Sequence, residues 1–246
     1  MHQWSFENNL NDTSGSGNNG VPNSLFFPTY VPGAFGQGFA LGSGQGVSNL
    51  SPSNLPLGGD DRWTMNVWLN FEDPIGLGTA NLGLFYYAGF GNHSTFTGTE
   101  GGWSRAYIQF DLTQVGTTGY HFWGTDSNGI AADVPAGVPY IQDGEWHMYT
   151  LAHTGDRIDM YIDATLVASG PTNLLDTPFN QVQIGNPSVW NTLAEAGIDE
   201  FSIYDGYLQP RDIGRLFATN FVPEPGALAL AGLAMSAALG LRRRQA

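Results

Sequence analysis

The chain has 246 residues, no cysteine and a formal net charge of −14. All eight basic residues are arginines and three of them lie at 242–244, so residues 1–222 carry 5 − 21 = −16. The absence of cysteine excludes disulfides and thiolate chemistry. An acidic chain without a basic patch excludes nucleic acid as a partner. The size suits one domain with a substantial core.

Apolar and polar residues alternate with a period of two in many segments, which is typical of half-buried strands. One segment has Trp63, Met65, Val67, Leu69 and Phe71 on one face and Thr64, Asn66, Trp68 and Asn70 on the other. In chain order the predicted strands lie near 3–6, 38–42, 63–71, 82–87, 105–112, 119–123, 146–153, 157–162, 165–169, 181–185 and 197–204. A single helix is predicted in this part of the chain, from Pro210 to Ala218.

Many short strands without intervening helices predict an all-β, two-sheet antiparallel sandwich. Three long segments rich in Gly, Asn, Ser and Pro, 43–60, 88–104 and 124–143, are predicted to be loops and to carry whatever function the sandwich has. The predicted core residues are Met65, Val67, Ile108, Phe110, Met160, Ile162, Phe201 and Ile203.

The last 25 residues form a segment of a different kind. Sixteen uncharged residues, Gly226 to Leu241, predict a C-terminal hydrophobic helix. Roughly 17 to 25 apolar residues span a membrane, so this run is short for a permanent anchor. The cluster Arg242, Arg243 and Arg244 is expected to stay on the cytoplasmic side. A buried C-terminal core helix is the alternative.

The motif Val222, Pro223, Glu224, Pro225, the apolar run and the arginine cluster together resemble the PEP-CTERM sorting tail of bacterial exported proteins. This resemblance implies an exosortase-type partner that removes the tail near the motif. It implies an exported protein that is transiently anchored in the inner membrane by the tail and then reaches the cell surface or extracellular matrix. It also implies a signal peptide, which the opening residues Met1 to Trp4 do not resemble.

Ordered blocks between residues 4 and 217 resemble LamG-like, concanavalin A-like jelly-roll domains. The chain is therefore divided into such a domain at 1–221 and the tail at 222–246. Ala164 departs from the family's Asp-Gly hairpin, and a residue other than glycine disfavours a two-residue turn there. The blocks that carry the resemblance are 4–20, 32–41, 63–68, 145–163 and 198–216.

The resemblance implies a calcium ion near the first loop and the closing strand, with Asp12 and Asp199 as ligands and Asn18 as a weaker one. Alternation places Asp199 on the inward face of Phe201 and Ile203, and a buried carboxylate is costly unless it is paired. For Asp12 the alternative is an ordinary Asx turn. For Asp199 the alternatives are hydrogen bonding or pairing with arginine.

Tryptophans in or beside loops are candidates for stacking on sugar rings, with a rim or core role as the alternative. These candidate ligand-binding residues are Trp103, Trp123 and Trp190, whereas Trp4, Trp63, Trp68 and Trp146 are expected to be structural.

No catalytic residues are predicted. The Glu-x-Asp-x-(x)-Glu pattern of glucanases with this fold does not occur. His147 and His153 lie about 20 Å apart on one strand, too far to share a metal, and are expected to pack or to form hydrogen bonds. The favoured function is an exported, non-catalytic surface or matrix protein that binds glycan or another matrix component. A hydrolase with an unrecognised site and a purely structural matrix protein remain the alternatives.

Overall fold

The computed structural model describes residues 1–21, 29–41, 46–50, 58, 60–70, 84–91, 105–111, 119–126, 129–135, 144–172, 181–185 and 196–219. These residues form fourteen strands and one helix. The strands are β1 (His2–Trp4), β2 (Thr29–Pro32), β3 (Gln37–Leu41), β4 (Gly46–Leu50), β5 (Trp63–Asn70), β6 (Leu84–Gly91), β7 (Arg105–Asp111), β8 (Gly119–Asp126), β9 (Gly129–Pro135), β10 (Trp146–His153), β11 (Arg157–Ile162), β12 (Thr165–Pro171), β13 (Gln181–Gly185) and β14 (Ala196–Asp205), followed by helix α1 (Pro210–Thr219).

The strands form two antiparallel sheets. The first has the order β12-β11-β10-β5-β14-β3-β2, and the second has the order β4-β13-β6-β7-β8-β9. The N-terminal strand β1 pairs with the closing strand β14, with His2 opposite Ile203 and Trp4 opposite Phe201. The predicted jelly-roll sandwich is confirmed, and with it the meeting of the first and last strands.

The core lies on the inner face of the first sheet. Met65 of β5 lies opposite Leu151 of β10, which lies opposite Met160 of β11. Six of the eight predicted core residues are buried: Met65, Val67, Met160, Ile162, Phe201 and Ile203. The side chains of Ile108 and Phe110 on β7 lie outside the described part of the structure.

The other face of the first sheet is buried as well. All eight residues of β5 are buried, because α1 covers the outer face. Ile213 and Leu216 of α1 pack in one cluster with Trp68, Met148 and Tyr204. The sheet therefore has an apolar layer on each side, which explains why Trp68 is only 7% exposed on the face opposite the sandwich core.

Three strands were not predicted: β2, β4 and β9. The segments 43–60 and 124–143, predicted to be loops, contain β4 and β9, and β6 extends into 88–104. All three missed strands lie at sheet edges. An edge strand has a single neighbour and tolerates Gly and Pro, so its sequence needs less alternation and fewer β-branched residues.

The hairpin between β11 and β12 forms the two-residue turn that Ala164 was expected to disfavour. Ile162 pairs with Thr165, and Asp163 and Ala164 between them have φ values of 48° and 62°. Asp163 ties this turn to the neighbouring strand β10, since its amide donates to the Met148 carbonyl at 2.9 Å and its carboxylate accepts the Met148 amide at 2.9 Å.

The helix predicted from Pro210 to Ala218 is confirmed as α1. The sorting motif, the apolar run and the arginine cluster lie outside the described residues, and so does the hydrophobic helix predicted there. Within the ranges that the structure does describe, no helix combines the length and the apolar character needed to cross a membrane.

Candidate functional site

Asp12 organises the N-terminal loop by hydrogen bonds. Its carboxylate accepts the Ser14 amide at 2.8 Å, the Ser14 hydroxyl at 2.5 Å, the Asn18 amide at 3.1 Å and the Gln3 amide at 3.4 Å. Burial raises the pKa of Asp12, but the hydrogen bonds from Ser14, Asn18 and Gln3 together outweigh burial and hold this pKa below its usual value. The bond to the residue two positions on is the geometry of an Asx turn.

Asn18 connects this loop to β1. Its carbonyl accepts the indole N–H of the buried Trp4 at 2.9 Å, and its side-chain amide lies 2.8 Å from Nδ1 of His2. Asp12 and Asn18 therefore lie close together, and their role as calcium ligands, which the resemblance implies, stays a prediction. Both side chains are nearly buried and are held by groups of their own loop and of β1.

Asp199 lies on a β-bulge in β14. Asp199 lies opposite Trp68 and Ser202 lies opposite Asn66, so two residues occupy the space opposite Val67. Glu200, at the bulge, has a φ of 47°. The bulge breaks the alternation, and Asp199 shares the face of Trp68 instead of the inner face of Phe201 and Ile203. The predicted face of Asp199 was wrong, while its predicted burial is confirmed at 0% exposure.

The carboxylate of Asp199 has few partners for a fully buried charge. It accepts the amide of Phe35 at 2.9 Å and the amide of Glu200 at 2.8 Å. A Cβ atom on Gly33 would lie 2.5 Å from Asp199 Oδ2, so only glycine fits there. Burial raises the pKa of Asp199 to about 8, and the negative charges of Glu200 and Glu7 raise it as well, against the two backbone bonds.

Glu7, Asp199 and Glu200 form what we call the acidic corner. Gln3 donates to Glu200 at 2.7 Å, and Glu7 accepts the amide of Gln37 at 3.3 Å. Burial raises the pKa of Glu200 and the charge of Glu7 raises it further, against the bond from Gln3. Among the described residues no arginine or histidine forms an ion pair with any of the three carboxylates.

The predicted calcium ligands fall into two neighbouring groups. Asp12 and Asn18 belong to the N-terminal loop, and Asp199 belongs to the acidic corner. Gln3 connects the two groups, because its backbone amide donates to Asp12 and its side chain donates to Glu200. Within the described ranges no three His, Asp or Glu side chains converge into a metal centre. Sequence analysis missed Glu7 and Glu200, although Glu7 lies in the opening block and Glu200 directly follows Asp199.

A polar pocket of about 450 Å³ opens at the end of the first sheet where β5 begins and β10 and β14 end. Below it His153 is fully buried, with Nδ1 2.7 Å from the Asp61 carbonyl and Nε2 2.7 Å from the Thr172 hydroxyl. Burial holds the pKa of His153 below its usual value, against the bond to Asp61 and the nearby carboxylates. The pocket is lined by Asp60, Asp61, Arg62, Thr154, Asp205 and Gly206.

The tryptophans expected to be structural are packed in the fold. Trp4 and Trp63 are fully buried and Trp68 is nearly so. Trp146 packs over Gly38 and Gly197, where Cβ atoms would lie 3.1 Å and 2.6 Å from its ring. The two histidines form hydrogen bonds as expected, since Nδ1 of His147 lies 2.6 Å from Asp163.

The candidate sugar platforms are not tested by the described residues. Trp103 and Trp190 lie outside them. Trp123 lies on β8 and pairs with Asp133 of β9, but its side chain lies outside the described part. All three stay predictions.

Several solved structures are similar in fold. One is domain 4 of AbnA, a GH43 extracellular arabinanase from Geobacillus stearothermophilus, in complex with arabinotriose, at 20% identity and a TM-score of 0.63 over 87% of this chain and 96% of that domain. Another is the binding domain of botulinum neurotoxin DC in complex with SialylT, at 15% identity and a TM-score of 0.64 over 90% of this chain. A third is the binding domain of Paraclostridial Mosquitocidal Protein 1, at 15% identity and a TM-score of 0.65 over 90% of this chain.

The chain spans 51% and 52% of the last two domains. No curated protein matches the sequence. Two family descriptions do match: the concanavalin A-like lectin/glucanases superfamily at residues 41–214 and the PEP-CTERM protein-sorting motif at residues 221–244. The second match indicates export through an exosortase to the cell surface or extracellular space. The protein belongs to the concanavalin A-like lectin/glucanases superfamily and carries a PEP-CTERM sorting motif after its helix α1.

Proposed function

We propose that the protein is an exported, non-catalytic glycan-binding component of a cell surface or extracellular matrix. The observation that carries this proposal is the similarity to domain 4 of the arabinanase AbnA, which extends over 96% of that domain and whose structure contains arabinotriose. A fold by itself hosts both binding and hydrolytic functions. The proposal therefore needs support from groups of this chain that suit a sugar.

Two features of this chain supply such groups. The polar pocket offers carboxylates, a guanidinium and a hydroxyl, which suit the hydroxyl groups of a neutral glycan as acceptors and donors. The predicted platforms Trp103, Trp123 and Trp190 would add flat apolar surface for a sugar ring. Residues 1–222 carry a formal charge of −16. This negative charge favours neutral or cationic glycans over acidic ones.

A glycan array probed with the folded domain tests the binding function. Wild-type protein should bind a defined set of neutral glycans. Trp123→Ala and Arg62→Ala should each weaken this binding, while Leu166→Ala, at an exposed position on β12, should leave it unchanged. Absence of any bound glycan would favour the structural alternative. Release of reducing sugars from a bound glycan would overturn the non-catalytic assignment.

The tail is proposed to hold the protein at the membrane until an exosortase-type enzyme removes it. The support is the sorting motif at 221–244. A fusion of residues 220–246 to a soluble carrier should remain with membranes when the enzyme is absent and be released when it is present. Replacing Arg242, Arg243 and Arg244 with neutral residues should weaken retention, since the positive end fixes orientation. A fusion that stays soluble without the enzyme contradicts the proposal.

Calcium is proposed as a structural ion of the domain. Oxygen atoms from carboxylates and carbonyls are the ligands calcium prefers, and Asp199 is a buried carboxylate without a positively charged partner in the described part of the chain. Asp12 and Asn18 stay candidate ligands on the other side of Gln3. The ion would offset the mutual repulsion of the carboxylates and connect β1 to β14.

A further inference from the structure

One histidine lies fully buried beneath the polar pocket and forms hydrogen bonds through both ring nitrogens. Nδ1 of His153 is 2.7 Å from the carbonyl oxygen of Asp61, and Nε2 is 2.7 Å from the hydroxyl of Thr172. A carbonyl can only accept, so the proton of the neutral ring lies on Nδ1, and Nε2 accepts from the Thr172 hydroxyl. The ring also stacks on Trp63 at 5.0 Å with an interplanar angle of 23°. These contacts fix the tautomer and the orientation of the imidazole.

The same imidazole holds the segment that forms one wall of the pocket. Residues 60–62, which we call the pocket arm, contribute three exposed residues to the lining. The arm has a local bond as well, from the Gly58 amide to the Asp61 carboxylate at 2.6 Å. The second partner of the ring, Thr172, directly follows β12. His153 therefore connects the pocket arm to the open end of the β11–β12 hairpin through a single side chain.

The closed pocket opposes protonation of this imidazole. Burial holds the pKa of His153 below its ordinary value of 6.5, against the bond to Asp61 and the charges of nearby carboxylates. Movement of the pocket arm away from the ring would expose the imidazole to water and restore its ordinary pKa. The open form therefore binds a proton more readily than the closed form does. The charged groups around the ring and the pocket are Asp60, Asp61, Arg62, Asp156 and Asp205.

Acid therefore favours the open position of the pocket arm. The contribution of His153 to the closed position is complete above pH 6.5 and is lost as pH falls from 6.5 toward the lowered pKa. Within this window the ratio of open to closed arm should rise by up to about tenfold per pH unit, because one proton is bound on opening. A short exposed segment can open locally while the two sheets remain folded.

We propose that His153 is an acid-sensitive latch of the polar pocket, in which the neutral ring holds the pocket arm closed and acidification releases the arm and weakens ligand binding. The effect on binding rests on the proposed glycan-binding function. His153 lies beneath the lining and acts through the Asp61 carbonyl, so it is a positioning residue. Displacement of the arm removes the Asp61 carboxylate and the Arg62 guanidinium from the lining. An exported protein meets external pH directly, so the latch makes binding strong near neutral pH and weak in acid.

The test measures hydrogen exchange of the pocket arm in the full-length chain, kept in solution by a neutral detergent. After correction for the intrinsic effect of pH on exchange, protection of residues 60–62 should fall by up to about tenfold from pH 6 to pH 5, while β11 stays protected. His153→Asn keeps a donor for the Asp61 carbonyl but cannot titrate, so protection of its arm should not change with pH. His153→Gln, which keeps a partner for Thr172 instead, serves if the first variant does not fold. His147→Asn, on the same strand, is the matched control and should keep the wild-type pH dependence.

A glycan array probed with wild type and His153→Asn at pH 7 and pH 5 measures the consequence for binding. Wild type should bind its glycans more weakly at pH 5, and the variant should bind them equally at both pH values. If the arm of His153→Asn opens in acid as much as that of wild type, another group titrates and the latch is contradicted. Equal glycan binding by wild type at both pH values contradicts control of the pocket by His153. Absence of any bound glycan at pH 7 contradicts the proposed function, while hydrogen exchange still decides whether the latch exists.

Discussion

Asp12 and Asp199 lie in adjacent regions on either side of Gln3, yet their surroundings act on them in opposite directions. Both carboxylates are buried, and burial raises the pKa of each. Bonds from Ser14, Asn18 and Gln3 bring the pKa of Asp12 below its usual value, whereas two amides leave the pKa of Asp199 at about 8. The difference shows that the chain stabilises the ionised form of Asp12 by its own hydrogen bonds, whereas it makes ionisation of Asp199 costly and keeps that carboxyl group protonated up to about pH 8.

The backbone differs between the two regions in the same way. The N-terminal loop places Gly15 and Gly17 at positive φ, where glycine is unstrained. The acidic corner instead places Glu200 at a φ of 47° and Phe6, next to Glu7, at 54°. Residues held in strained backbone conformations cluster at functional sites. The acidic corner is therefore the better candidate for a bound cation, and the N-terminal loop is its support.

The largest expected effect is a loss of stability as pH rises when calcium is absent. The pKa of Asp199 is about 8 in the folded protein against 3.8 as its ordinary value. Its stabilising contribution is thus complete below pH 3.8 and is lost as pH rises toward 8. The free energy of unfolding should fall by up to about 1.4 kcal/mol per pH unit in this window. Urea unfolding in chelator between pH 5 and 8 measures it.

Asp199→Asn is the matched control for this dependence. The amide cannot ionise, so the variant should lose most of the slope and gain stability relative to wild type at pH 8. Asp12 does not contribute in the same window, because a lowered pKa matters only at lower pH, where stability falls as the carboxylate is protonated. If wild-type protein in chelator has the same free energy of unfolding at pH 5 and pH 8, the pKa of Asp199 is not raised and the two carboxylates do not differ in this way.

Removal of the Asp12 carboxylate should cost about 3 kcal/mol, because it leaves several buried donors without an acceptor. Asp12→Ala should lower the free energy of unfolding with or without calcium, since these donors are protein groups. Asp60→Ala, at an exposed position, is the control and should cost little. If Asp12→Ala lowers the free energy of unfolding only when calcium is present, Asp12 acts as a metal ligand and does not organise the loop by hydrogen bonds alone.

Calcium at a hundredfold excess over its dissociation constant should increase the free energy of unfolding by about 2.7 kcal/mol. The melting temperature should rise accordingly. Asp199→Asn should abolish this response. Asp12→Asn distinguishes the two regions: the response persists if the acidic corner supplies the ligands and disappears if the loop shares them. If adding calcium to metal-free wild-type protein leaves the melting temperature unchanged, the calcium proposal is wrong. Asp199 is then a hydrogen-bonded structural residue.

Side-chain patterns predicted the central strands, the helix and the burial of Asp199, because each rests on a period or a composition. The face of Asp199 could not be predicted, since a bulge is a backbone feature and Glu200 gives no sign of a left-handed φ in its sequence context. Sequence analysis missed the edge strands β2, β4 and β9. An edge strand pairs with a single neighbouring strand, so its sequence needs little alternation of apolar and polar residues. Glu7 reaches the acidic corner from 192 residues away in the chain (199 − 7), a distance no local pattern covers.

The smallest expected effect separates backbone strain from charge at the acidic corner. Ala164→Gly relieves a φ of 62° in the β11–β12 hairpin without changing any charge, and should stabilise the protein by about 1 kcal/mol. Glu200→Gly relieves a φ of 47° in the same way but also removes one carboxylate and its bond from Gln3.

In chelator at pH 8, Glu200→Gly should be stabilised relative to wild type by more than Ala164→Gly, because repulsion with Asp199 disappears. At pH 5, where Asp199 is protonated, lost hydrogen bonding should reduce its gain below that of Ala164→Gly. Equal gains for the two variants at both pH values, measured by urea unfolding, would mean that strain alone distinguishes the corner and that its charges do not interact.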